Sequence, residues 1–198
     1  MLVLTSFGFR SPLIRGKLSG VLPVKGKTVL ILPFAGVNIK ACAEHESEGL
    51  VRFGYSPENI FICEDLHTLT RLNYDVIYVP GGNTFKLLKA VQNKGLMLAL
   101  RKAVGNGCTY IGVSAGAELA TVDLQYVENL EENNEAVTDF HGLGLIKDVV
   151  IPHSDQRNIA DQLACKSNAG KTRKLLCIPN DGVIIYDILK EQRNVKYL

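Results

Sequence analysis

The chain has 198 residues, 46% hydrophobic and 21% charged, with 22 Lys plus Arg against 20 Asp plus Glu and a net charge of +2. That composition is too apolar for a disordered segment, and its near-balance of charge leaves no electrostatic footprint for nucleic acid or an anionic membrane surface. No apolar run approaches the ~20 residues of a membrane helix, and the opening MLVLTSFGFRSPLIRGK lacks a secretory pattern. Five cysteines (Cys42, Cys63, Cys108, Cys165 and Cys177) are widely spaced with no C-x-x-C pair, as free thiols in a reducing compartment would be. The expectation is one soluble, cytoplasmic domain over residues 1–198.

MLVLTSF (1–7) reads as a first strand. TVLILPFAG (28–36) is a near-continuous apolar run closed by Pro and Gly, as a strand covered on both faces should be. Residues 38–54 set Glu44, Glu46 and Glu48 beside Leu50 and Val51, a helix with a polar side. NIFICED (59–65) and DVIYVPGG (75–82) are strands. NTFKLLKAVQNKG (83–95) places Phe85, Leu87, Leu88 and Val91 at helical spacing before a terminating glycine, and 96–107 continues as a second helix. CTYIGVS (108–114) is a strand running into AGAELA, IKDVVIPH (146–153) is another, and residues 155–168 read as a helix. The end, LLCIPNDGVIIYDILKEQRNVKYL, shows strands joined by turns at Asn180-Asp181-Gly182 and Lys190–Asn194. This alternation predicts an α/β fold: a mostly parallel sheet with helices on both faces and antiparallel strands near the C-terminus. No repeat or linker divides it.

In such sheets ligands bind beyond the carboxyl ends of the strands, where Gly112-Val113-Ser114-Ala115-Gly116 falls. G-x-S-x-G between a strand and a helix is the pattern of a sharp turn that raises a serine hydroxyl above the sheet. The Ala115 amide would open the helix, where unpaired N–H groups favour an anion. A second glycine-rich strand end, Pro80-Gly81-Gly82-Asn83-Thr84, makes the Gly82 amide a second oxyanion donor. It matches neither the dinucleotide nor the P-loop glycine pattern, so no nucleotide cofactor is expected.

A serine needs a base to remove its proton. Of four histidines, His45 lies among glutamates on a helix, His67 precedes a loop and His141 sits in a polar loop. His153 follows an apolar run and stands at a strand end, which makes it the candidate base. Asp181, in the turn after LLCIP, is the candidate acid that would orient the imidazole, with Asp155 and Glu128 as alternatives. His45 and Glu48 lack the companions of a metal site, so no metal is expected.

PGGNTFKLL (80–88), YIGVSAGAELA (110–120), IPH (151–153) and IPNDG (178–182) together resemble the peptidase E family of serine peptidases, which also includes cyanophycinases. The resemblance implies a fold similar to class I glutamine amidotransferases, whose elbow carries cysteine instead of serine. It implies Ser114 as nucleophile, His153 as base, the Gly82 and Ala115 amides as oxyanion hole and Asp181 as the acid. Peptidase E enzymes often carry Pro-Glu-Gly at this turn, whereas this chain has Pro-Asn-Asp-Gly, which leaves the third member's register open. Peptidase E cleaves dipeptides and short peptides after an N-terminal aspartate, a selection that requires a cation. Arg173, in GKTRKLL, resembles an arginine at a similar place in the family; Arg157, four residues after His153, is the local alternative, and Asn83 is a further substrate-binding candidate. The acidic segment 124–142 departs from peptidase E. The expected partner is a small peptide, with no cofactor, in a monomer or homodimer. Two rival readings stand beside this one. One is an α/β-hydrolase-type esterase, whose acid precedes the histidine and would be Asp139; the other is a non-catalytic binding relative that keeps the elbow for packing.

Overall fold

The computed structural model describes residues 1–158, 161, 164, 173–186 and 195–198. The apolar runs become β1 (Leu2–Thr5), β2 (Val29–Ile31), β3 (Ile60–Ile62), β4 (Val76–Val79), β5 (Thr109–Val113), β6 (Val149–Pro152), β7 (Leu175–Ile178), β8 (Val183–Tyr186) and β9 (Val195–Tyr197). Seven of them form one sheet in the order β3-β2-β4-β5-β1-β8-β9. The first five strands run parallel, while β8 lies antiparallel to β1 and β9 antiparallel to β8. The expected architecture is therefore present, including the antiparallel edge.

Because side chains alternate across a strand, the sheet divides its apolar residues between two cores. Leu4, Leu30, Ile77 and Tyr110 face one, closed by α4 (Thr84–Asn93), α5 (Met97–Gly105) and α6 (Ala115–Leu119). Val3, Ile31, Tyr78 and Ile111 face the other, covered by α1 (Pro12–Leu18) and α2 (Ile39–Phe53). Helix ends follow local chemistry: Asn83 caps α4 by accepting the Lys86 amide at 2.8 Å, and Gly95 takes φ 66° just beyond the C-terminus of α4.

The structure departs from the sequence reading at several points. α1, a helix beyond those expected from the sequence, starts on a Ser11 cap with Pro12 at its first position. His67 lies inside a short helix, α3 (Leu66–Thr70), too brief to show a helical period. Glu46 does not belong to a polar face; it is 4% exposed and accepts the Tyr78 hydroxyl at 2.7 Å, with Arg10 at 3.8 Å. β6 stays out of the main sheet and pairs, in parallel, with β7. The Asn180-Asp181-Gly182 turn therefore carries the chain from that ribbon into the main sheet rather than closing a hairpin. The helix expected over 155–168 lies largely, and the turn at Lys190–Asn194 wholly, outside the described residues. No described helix is long and apolar enough to cross a membrane.

Candidate active site

β5 ends at Val113 and α6 begins at Ala115, so Ser114 alone turns the chain from strand to helix. Its backbone takes φ 49° and ψ −111°, a conformation that costs a non-glycine residue on the order of 1–3 kcal/mol. Bonds on both sides hold it there. The Ser114 amide donates to the Thr5 carbonyl of β1 at 2.9 Å, and its own carbonyl accepts the Ala117 and Glu118 amides at 2.8 and 3.1 Å.

The flanking glycines serve close packing, since neither sits at positive φ. A Cβ on Gly112 would strike the Gly116 carbonyl, and one on Gly116 would strike the Val79 carbonyl of β4. Tyr110 fastens the same peptide by donating to the Gly116 oxygen at 2.6 Å. Gly116→Ala is expected to destabilise the protein by about 3 kcal/mol or more, because backbone rather than a side chain must move. Gly105→Ala, where a Cβ meets open space, is the control. Urea midpoints of the two variants check this, and equal midpoints would contradict it.

His153 follows β6 at φ 55°. Its Nε2 lies 3.0 Å from Ser114 Oγ and its Nδ1 2.7 Å from Asn180 Oδ1. An amide oxygen only accepts, so the proton sits on Nδ1 and Nε2 is left to receive the serine proton. β5 and β6 do not pair; Ser6, just past β1, ties the ends of β6 and β7 to β1, the strand that pairs with β5. The His153 amide donates to Ser6 Oγ at 2.9 Å, and the Ser6 hydroxyl donates to the Ile178 carbonyl of β7 at 2.9 Å. Phe7 leans on the imidazole with ring centroids 5.2 Å apart.

The third position needs correction. Asp181 does not meet His153: its carboxylate accepts the Ser11 hydroxyl at 2.5 Å and its carbonyl takes Lys17 Nζ at 2.9 Å. Neighbouring side chains diverge in a tight turn, and the one aimed at the imidazole is Asn180. Asp155 supports that residue from behind, accepting the Asn180 amide at 3.0 Å. Glu128 is exposed in the 3-10 turn Gln125–Asn129. Asp139, the acid that the esterase reading requires, is bonded to His141.

Gly81 packs against the serine, where a Cβ would come within 3.0 Å of Ser114 Cβ. Gly82 follows at φ 144°, pressed so close to the Ala35 carbonyl that a Cβ would clash. The glycine loop, through Gly81, and the start of α6 thus adjoin Ser114. Asn83 spends its Oδ1 on capping α4 and its amide on the Ala35 carbonyl, 3.1 Å away. Arg157, beside the base, donates to the Pro152 carbonyl at 3.0 Å and the Leu130 carbonyl at 3.4 Å. Arg173 lies 3.9 Å from the Asp123 carboxylate.

Two acids near the elbow had no sequence signal. Glu118, on α6, accepts the Thr84 hydroxyl at 2.5 Å, while Glu131 accepts the Thr84 amide at 2.7 Å. Burial pushes the Glu118 carboxyl up to about 8.

Comparison with known proteins bears on the family and the fold. The model for peptidase family S51 matches residues 2–189. An uncharacterized peptidase of Listeria monocytogenes is 30% identical over 138 residues, 66% of this chain and 67% of its own length. Peptidase E of a Nostoc species is 31% identical over 143 residues, 70% of this chain and 57% of its own. Peptidase E of Shigella sonnei is 35% identical over 112 residues, 55% of this chain and 46% of its own. The chain thus spans about half to two thirds of the length of these curated relatives. Among solved structures the fold is shared with a candidate peptidase E from Listeria monocytogenes, at TM-score 0.75 and 23% identity over 100% of this chain and 98% of that one. It is shared too with a peptidase from an acI-B1 actinobacterium, at TM-score 0.67 and 18% identity over 100% and 93% of the two chains.

Proposed function

We propose, from the premise that this chain belongs to peptidase family S51, that it is a serine peptidase hydrolysing small peptides through an acyl-enzyme on Ser114. The observation that carries the reading is the 3.0 Å approach of Ser114 Oγ to His153 Nε2, at an elbow whose backbone is held at φ 49°. Nε2 takes the hydroxyl proton as Oγ attacks the peptide carbonyl, and Asn180 keeps the other ring nitrogen protonated. Negative charge then forms on the carbonyl oxygen between the Gly82 and Ala115 amides, each such donor being worth about 3–4 kcal/mol in the transition state. The imidazolium returns its proton to the leaving amine, and water repeats the sequence in reverse to free the acid.

Dipeptides with an N-terminal aspartate are the substrate class we place first, because Arg157 is a cation tethered to the residue before His153 and a buried carboxylate needs such a partner. The test is a fluorophosphonate probe together with a panel of free-amine dipeptides that differ in the first residue. The expected result is labelling at Ser114, found by mass spectrometry, and faster cleavage of Asp-first than of Asn-first peptides. Equal rates would remove the aspartyl preference alone. Absence of both labelling and cleavage would remove the peptidase reading.

A further inference from the structure

Glu118 lies four residues beyond Ser114 on the nucleophile's helix, yet its carboxyl group faces α4 rather than solvent. It is 3% exposed; Oε2 takes the Thr84 hydroxyl, and Oε1 has no hydrogen-bond partner. Thr84 is the first residue of α4 and stands two positions after Gly82. Its amide is held by Glu131, so the amide and the hydroxyl of this one residue are both anchored to carboxyl groups. We infer that Glu118 is a positioning residue: it ties the helix that carries Ser114 to the first turn of the helix behind Gly82, and so sets the oxyanion donor against the nucleophile. This inference rests on the roles given above to Ser114 and Gly82.

Neutrality is what keeps this contact dry, although the Thr84 hydroxyl bonds better to a carboxylate and so favours ionisation. An ionised Glu118 would be a buried charge with one oxygen unpaired, which is costly away from water. The Glu131 carboxylate, on the other side of Thr84, repels that charge, while Arg157 acts in the opposite sense. Tyr110, which reaches α6 from β5, has turned its hydroxyl to the Gly116 carbonyl. Burial outweighs the rest and puts the titration at about 8. Raising the pH through that value puts a charge with one unpaired oxygen into a dry contact, and the water it draws in loosens the first turn of α4 from the elbow.

The test takes the full chain with Glu118→Gln and Glu118→Ala. One readout is the rate at which a fluorophosphonate labels Ser114, from about pH 6 to 10; the other is amide hydrogen exchange over residues 82–88. Wild type is expected to lose labelling rate above about pH 8, and Glu118→Gln, which keeps the acceptor for Thr84 but cannot ionise, to lack that decline. At neutral pH the Gln variant should label within about threefold of wild type. The Ala variant should label about tenfold or more slowly, as a misplaced oxyanion donor would cause, with faster exchange over 82–88. Should Glu118→Ala fail to fold, the Gln profile decides the matter alone. A Gln variant with the wild-type decline, or a folded Ala variant that matches wild type in both readouts, overturns the inference. If wild type itself does not label, the hydrolase reading has failed, and the exchange data still decide whether Glu118 holds this turn.

Discussion

Ser114→Ala is expected to lower peptide hydrolysis by roughly a hundred-thousandfold to a millionfold, with little change in the urea midpoint. In the proposed mechanism the hydroxyl oxygen forms the acyl bond, and the nearby Ser6 hydroxyl cannot take its place. Ser6 is occupied as donor to Ile178 and as acceptor from the His153 amide. What remains in the variant is the oxyanion hole and the binding site, which accelerate hydrolysis modestly without a nucleophile. Steady-state turnover of the best dipeptide from the panel measures this. A variant retaining more than about a tenth of the wild-type kcat would show that the serine is not the attacking group.

Asn180 should dominate Asp181. Asn180→Ala is expected to reduce kcat by between about a hundredfold and ten-thousandfold, because the imidazole loses the acceptor that fixes its tautomer and orientation. Asp181→Ala, whose carboxylate reaches Ser11 rather than His153, should stay within about threefold of wild type unless α1 shifts. Asn180→Asp gives the finer readout. A carboxylate 2.7 Å from Nδ1 would stabilise the imidazolium, so the acidic limb of the kcat/KM profile should move to higher pH by about one unit or more. The sign follows from the base: His153 works neutral, and a raised pKa demands a higher pH to strip its proton. If Asp181→Ala were the crippling variant and Asn180→Ala nearly silent, the arrangement of this site would be refuted.

The serine and the histidine could be found without coordinates because each carries a local mark. Ser114 stands in a glycine pattern between a strand and a helix, and His153 ends an apolar run. The amide partner could not be found that way. Asn180 and Asp181 share one turn, and which of them faces the imidazole depends on how the chain crosses from β7 to β8, where Gly182 bonds back to Pro179 at 2.8 Å. Chemical habit favours the acid; the rotation of the turn favours the amide. Ser6 and Glu118 were invisible for another reason. Ser6 matters only because the ends of β1, β6 and β7 converge on it, and Glu118 only because α4 and α6 pack together. The separation of β6 from the main sheet was also unreadable, since four buried apolar residues look the same whichever sheet they join. Glu46 shows the converse failure: a carboxylate counted as surface proves to be the partner of a buried phenol.

The placement of the imidazole on a ribbon outside the main sheet has a consequence for the life of the chain. Ser114 leaves the ribosome 39 residues before its base, and Asn180 follows 27 residues after that. Until the ribbon docks against Ser6, a growing polypeptide therefore carries an ordinary alcohol with no means of shedding its proton. In the proposed mechanism hydrolytic power waits for Asn180, and a product stalled before that residue lacks the acceptor that sets its base.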